Sequence, residues 1–246
     1  MTLQDNILCS KNVFITGATG GLGRALAIEY AKKECNLFLT GRCSFKLSEL
    51  KKEIDNFIDK EIDIQCRACD LRDESALYSL IKFAKDTFGH IDILINCAGT
   101  FSVKSIEETT IEQYKECINL NLTVPFVLIK EFSKEMVFNK WGQIINIASS
   151  SAYGGAPNTS IYCASKHGLL GLSRSLYKEL NPYNVRVICV SPGSIKTSMG
   201  REVEKLGQDF DTFIEPTEVA KYVVCNSSFN GNMISEEIRL NRMFIQ

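Results

Sequence analysis

The sequence predicts an α/β fold, a doubly wound parallel sheet with helices on both faces. Three observations predict it. Short, β-branched apolar runs recur along the chain, several of them continuously apolar, as strands covered on both faces require. Longer amphipathic segments with helical spacing lie between them. The first apolar run leads straight into a glycine-rich loop and then a helical pattern, the opening of a repeated βα unit.

The elements follow in order. Val13-Phe14-Ile15 is the first strand, and a helix runs from Arg24 to Lys33. Leu37-Phe38-Leu39 is the second strand. Leu47, Leu50, Ile54, Phe57 and Ile58 share one helical face. Residues Ile62 to Cys69 alternate as a third strand, and Leu77, Leu80, Ile81, Ala84 and Phe88 mark the next helix. Strands are expected at Ile91 to Ile95, Ile144 to Ile147 and Val185 to Val190. Long helices are expected at about Ile111 to Phe138 and Ile161 to Leu180. A polar amphipathic stretch, Arg201 to Ile214, precedes a last helix from near Thr217 and a final strand at Glu237 to Leu240. No linker, repeat or low-complexity tract interrupts the pattern, so residues 1–246 read as a single dinucleotide-binding and catalytic domain.

Composition narrows the partners. The 246 residues are 45% hydrophobic and 23% charged, as in an ordinary globular protein. Lys plus Arg is 28 against 29 Asp plus Glu, a formal charge of -1, which argues against a nucleic-acid binder. Apolar runs such as Val187-Ile188-Cys189-Val190 fall far short of the ~20 residues of a membrane span. The N-terminus shows no signal-peptide pattern, and the ten cysteines lie scattered in apolar runs. A cytoplasmic location is the expectation. Cys66-Arg67-Ala68-Cys69 is a C-x-x-C, but on a strand pattern its thiols point to opposite faces, against a redox pair. No metal site is implied.

Thr16-Gly17-Ala18-Thr19-Gly20-Gly21-Leu22-Gly23 joins the first strand to the first helix. Glycine lets a pyrophosphate approach the backbone, and the helix start offers free N–H groups and a positive dipole end. Gly17, Thr19, Gly20, Gly21, Leu22 and Gly23 are therefore candidate cofactor-binding residues. No G-K-[ST] follows, which excludes an ATP or GTP P-loop. The fold class sharpens to a Rossmann-type three-layer α/β/α architecture. The second strand ends Leu39-Thr40-Gly41-Arg42, without the acid that an NAD site places there. Arg42 suits a 2′-phosphate through its planar fork, so NADP is expected and NAD stays possible. The alternative for Arg42 is an exposed loop arginine.

With this loop, Asn96-Cys97-Ala98-Gly99, Asn121, Ser149, Tyr162-Cys163-Ala164-Ser165-Lys166 and Pro192-Gly193 make the sequence resemble the short-chain dehydrogenase/reductase family. The likeness is to its single-domain, 3-oxoacyl-carrier-protein-reductase-like branch and covers nearly the whole chain. Cys97 stands where that family has a second Asn, and Val124 where it commonly has Gly. Tyr162 and Lys166, four apart on a helix, share a face. A phenol of pKa ~10 exchanges protons poorly at neutral pH, and a nearby ammonium lowers that value.

The resemblance implies that Tyr162 protonates the substrate oxygen as general acid. Lys166 would lower the Tyr162 pKa and bind the nicotinamide ribose. Ser149 would polarise the carbonyl, and Asn121 would hold a relay water. It further implies that Asp70 and Leu71 meet adenine, and that Asn96, Ala98 and Gly99 line the adenosine and ribose. Pro192, Gly193, Ile195 and Thr197 would position the carboxamide. His90 and His167 read as bystanders.

The implied function is an NADPH-dependent reductase of a small-molecule carbonyl, or the reverse alcohol dehydrogenase. An NAD-dependent alcohol dehydrogenase and a non-catalytic dinucleotide sensor or scaffold are the alternatives, and an intact Ser149, Tyr162 and Lys166 set argues against the second. The expected substrate walls are 100–101, 150–153, 158–159 and 194–213, a mixed lining that leans toward a polar substrate. Residues 198–214 are expected to act as a lid. The family habit implies a homo-oligomer, a tetramer or a dimer, with Met243, Phe244 and Ile245 packed against a neighbour or against their own subunit.

Overall fold

The computed structural model describes residues 7–229 and 231–243. Seven strands form one parallel sheet in the order β3-β2-β1-β4-β5-β6-β7. They are β1 (Asn12–Thr16), β2 (Asn36–Gly41), β3 (Ile64–Ala68), β4 (Ile93–Asn96), β5 (Gly142–Ile147), β6 (Val185–Pro192) and β7 (Glu237–Leu240). The helices are α1 (Gly21–Ala31), α2 (Ser44–Asp55), α3 (Glu74–Phe88), α4 (Ile111–Ile118), α5 (Val124–Phe138), α6 (Ser160–Leu180) and α7 (Pro216–Ser227).

Alternation along the strands builds a core on each face. Ile15 of β1 and Leu37 and Leu39 of β2 pack with residues of α1, α2 and α7. Their neighbours Phe14 and Phe38 turn to the other face, beside Leu80 of α3 and Leu128 and Phe132 of α5. Phe14 stacks on Phe38 with ring centroids 5.0 Å apart. β1 pairs with β2 on one side and β4 on the other, so the strand order reverses at β1. A crevice opens at such a switch point, beyond the carboxyl ends of the strands.

Several elements differ from the sequence expectation: α1 spans Gly21–Ala31 rather than Arg24 to Lys33, and β4 starts at Ile93 rather than Ile91. The long helix expected from Ile111 to Phe138 is broken into α4 and α5 by a π-helical turn at Asn119–Thr123, where Val124 N–H donates to the Asn119 carbonyl. Pro125 has no N–H to return to Asn121, so the regular ladder cannot continue there. α2 ends at Asp55 and leaves Phe57 in a turn, 41% exposed, rather than on the helix's buried face. β3 starts at Ile64, two residues later than expected. The stretch after β6 forms two short 3-10 segments, Gly200–Leu206 and Phe210–Thr212. The final strand occupies the expected residues.

Candidate active site

The site is assembled where β1, β4, β5 and β6 end. Thr16, the last residue of β1, accepts hydrogen bonds at Oγ1 from the N–H groups of Cys97 and Ala98, both at 3.0 Å. This draws the loop after β4 against the glycine loop. Gly17 turns with φ +67°, and a Cβ there would stand 2.9 Å from the Ala98 Cα. A Cβ on Gly23 would lie 2.2 Å from the Gly17 carbonyl oxygen. Only glycine permits this close approach. α1 begins at Gly21 and has no side-chain cap at Gly20. The first N–H groups of α1 are therefore left for an anion, and the donor set fits a dinucleotide pyrophosphate.

A cavity of about 420 Å³ runs from this loop past the ends of β4, β5 and β6. Of the expected residues, Gly17, Gly20, Gly21, Leu22, Gly23, Gly99, Ser149, Tyr162, Lys166, Pro192, Gly193, Ile195 and Thr197 line it. The structure brings these together from five separate stretches of chain. It does not bring all of the candidates there. Thr19, Arg42, Asp70, Leu71, Asn96, Ala98 and Asn121 lie outside the lining.

Three of these absences have a physical reason. Asn96 is 2% exposed, and its Nδ2 donates to Asn146 Oδ1 at 2.8 Å, so the side chain is turned into the sheet. Leu71 is buried in the core with Phe14 of β1, Phe38 of β2 and Leu94 of β4. Asp70 is bound by Arg72 at 2.7 Å, and that guanidinium holds its carboxyl down at about 2. Arg42 is exposed at the end of β2 and contributes a smaller lowering of Asp70.

The reacting groups sit on β5 and α6. Ser149 follows β5 in extended backbone, and its Oγ accepts from Ser151 N–H at 3.1 Å. Tyr162 is in the first turn of α6, hydrogen-bonded to Ser149, with Phe101 edge-on to its ring at 4.7 Å. Burial pushes the Tyr162 phenol up to about 12, partly opposed by the Ser149 bond. Burial also brings the Lys166 ammonium down to about 8. The expected effect of Lys166 on Tyr162 is not what sets this phenol. Lys166 Nζ donates to the Ile147 carbonyl at 2.8 Å and stands 5.7 Å from the Tyr162 ring centroid.

Asn121, in the π-helical turn, is fully buried. Its Nδ2 donates to Thr100 O and to Ser165 Oγ, both at 3.0 Å, and its Oδ1 accepts from Thr100 N–H at 2.9 Å. The side chain thus braces the loop after β4 against α6. His167 is exposed, with Nδ1 2.9 Å from the Cys163 carbonyl, and takes no part in the cavity.

Gly154, Gly155 and Ala156 also line the cavity, and the sequence reading passed over them. They form a run of small residues four positions before α6, and that run is the sequence signal that could have marked them. The outer wall is mixed. The segment after β6 lines the cavity with Met199, Val203 and Leu206 on the apolar side and with Ser194, Thr197, Ser198 and Gln208 on the polar side.

A parallel sheet with an uncapped, glycine-lined helix start at its switch point, and a buried tyrosine and lysine in the same cleft, defines a dinucleotide-dependent oxidoreductase. Residues 11–206 match the short chain dehydrogenase family, and the chain belongs to it as an NAD(P)-dependent oxidoreductase. It is 34% identical over 235 residues to the 3-oxoacyl-[acyl-carrier-protein] reductase FabG of Rickettsia conorii, covering 93% of each chain. It is 30% identical over 238 residues to 3-dehydrosphinganine reductase of Danio rerio, covering 93% of this chain and 71% of that one. A metagenomic short-chain oxidoreductase in complex with NADP superposes with a TM-score of 0.83 at 27% identity, covering 96% of this chain and all of the other. Among the described residues no helix is long and apolar enough to cross a membrane.

Proposed function

We propose that the protein is an NADPH-dependent reductase of a small-molecule carbonyl compound, with Tyr162 as the general acid. The observation that carries this reading is the meeting of Ser149, Tyr162 and Lys166 in the cleft that also holds the glycine loop. When bound, the nicotinamide supplies a hydride to the carbonyl carbon. The N–H groups opening α1 would hold the pyrophosphate, and Arg42 would meet the 2′-phosphate. The NADP complex of the metagenomic relative supports that cofactor choice.

Ser149 donates a hydrogen bond to the carbonyl oxygen and polarises it. Tyr162 then gives its proton to that oxygen as charge develops. A phenol raised to about 12 is a reluctant proton donor, so its acidity must come from groups that meet the phenolate as it forms. Ser149 already lowers it, and Lys166 would join by releasing the Ile147 carbonyl or by engaging the ribose. The Asn121 side chain is spent on its neighbours, which leaves any relay water to its main-chain oxygen. Residues 198–214 act as a lid over the substrate. All ten cysteines are free thiols, in keeping with a cytoplasmic location, and Met243, 90% exposed, is a contact point for a homo-oligomer, a tetramer or a dimer.

Following NADPH absorbance against a panel of ketones, oxo esters and aldehydes tests the reading. Carbonyl-dependent oxidation of NADPH that Tyr162→Phe abolishes is the expected result. Oxidation that survives this change removes Tyr162 from the reaction.

A further inference from the structure

Among the described residues Gln208 is the one amide side chain that lines the cavity, and it sits between the two 3-10 segments that follow β6. Its Oε1 accepts two hydrogen bonds, from Ser194 Oγ and from Arg242 Nη2, both at 2.9 Å. Arg242 also donates to Thr212 Oγ1 at 2.7 Å and lies over the Phe213 ring, 5.2 Å from its centroid. The arginine that follows the last strand is therefore fastened to the segment bearing Gln208.

This fixes which end of the amide is available. A guanidinium only donates, so the amide atom that meets Arg242 must be the oxygen. With Oε1 taken by two donors, the free group is the Nε2 amide, which among the described residues has no hydrogen-bond partner. An amide whose oxygen bonds a cation is also polarised, which makes its N–H groups better donors. Lys166 is the one charged side chain in the lining, and its ammonium is held at the Ile147 carbonyl. The remaining polar lining is mostly hydroxyls, which offer both donor and acceptor. Gln208 is the group there that can only donate.

We propose that Gln208, held by Arg242 and Ser194, is a specificity residue that hydrogen-bonds an acceptor oxygen of the substrate remote from the reacting carbonyl. The substrate class is then an oxo compound with a second acceptor oxygen, an oxo ester or oxo acid rather than a plain alkanone. This rests on the reductase reading above. The apolar wall of Met199, Val203 and Leu206 takes the hydrocarbon part of such a substrate, and Arg242 acts through Gln208 as a positioning residue.

The test compares ethyl 3-oxobutanoate with 2-heptanone, chains of equal length with and without the ester oxygens. The ratio of their kcat/KM values is measured in wild type and in Gln208→Leu, which cancels the difference in intrinsic reactivity between the two carbonyls. Loss of one hydrogen bond of this kind is expected to lower the ratio about tenfold, through the KM of the oxo ester and not its kcat. Gln208→Glu keeps the volume and the tie to Arg242 but removes the donors, so it must show the same fall even if Gln208→Leu folds poorly. Arg242→Ala should lower the ratio partway and Arg242→Lys restore part of it. An unchanged ratio in both Gln208 variants overturns the proposal. If wild type reduces neither compound, the reductase reading fails separately. Calorimetric titration of both compounds into the NADP⁺-loaded protein then decides the Gln208 question. Oxo-ester affinity lost in Gln208→Glu supports it, and equal affinity overturns it.

Discussion

Lys166 donates from Nζ to the main-chain oxygen of Ile147 at 2.8 Å, so its charge is tied to the last residue of β5 and not to the Tyr162 hydroxyl. One buried hydrogen bond does not repay the loss of water around an ammonium, and the lysine is brought down to about 8 from 10.5.

That depression makes a stability prediction with a defined sign. Between about pH 8 and pH 10.5 the unfolded chain holds a proton on Lys166 that the folded chain has given up. Stability from this group therefore rises with pH across the window and is lost as pH falls through 8. Denaturant melts of wild type and Lys166→Met at pH 7.5 and pH 10 should show wild type gaining on the variant at the higher pH. The gain should be on the order of 2–3 kcal/mol. A constant difference between the two proteins contradicts a buried, depressed lysine.

Arg42 should carry most of the preference between the two cofactors. It is exposed, and a charge-assisted contact to a 2′-phosphate is worth ~1.5–3 kcal/mol, or about ten- to a hundredfold in affinity. Titrating NADPH and NADH into wild type and Arg42→Ala checks it. The variant should lose affinity for NADPH and keep that for NADH. Equal binding of both by wild type favours the NAD-dependent alternative.

Two glycines should behave oppositely when given a methyl group. Gly23→Ala places a carbon 2.2 Å from the Gly17 carbonyl and should lower stability by about 2 kcal/mol or more, and weaken cofactor binding with it. Gly171, exposed within α6, has open space around it. Gly171→Ala should raise stability by ~0.5–1 kcal/mol through helix propensity alone. Thermal melts read both, and a stable Gly23→Ala would mean the loop is looser than this packing.

The sheet was legible because β1, β2 and β4 to β6 are short runs of Val, Ile, Leu and Phe with helices of clear period between them. Spacing put Tyr162 and Lys166 on one helix face, the family resemblance singled out Ser149 beside them, and the structure brings all three to one cavity. The interruption at Asn119–Thr123 was not, because one added residue within a turn hardly disturbs an amphipathic pattern. Pro125 was its sole mark. Asn96 and Leu71 show a second limit. A motif places a residue at the end of a strand, but both side chains turn inward, to Asn146 and to the core. The Gln208–Arg242 contact joins residues of separate elements, and no local pattern announces it.

Met243 is 90% exposed at the rim of a hollow that also includes Phe213, Tyr222 and Leu240, while Phe244 and Ile245 lie outside the described residues. Among the described residues nothing covers Met243. Deleting residues 243–246 spares Arg242 and should reduce the assembly to smaller, folded species by light scattering. An unchanged mass removes the C-terminus from the interface.

The most direct test of the account is single-turnover reduction by Tyr162→Phe with NADPH pre-bound. The ring and its contact with Phe101 survive this change, so fold and cofactor affinity should stay within about twofold of wild type, while the proton donor is gone. General acid catalysis contributes about a hundredfold or more, and the rate should fall by at least that factor. A rate within tenfold of wild type at equal cofactor occupancy would contradict the assignment of Tyr162 as the acid.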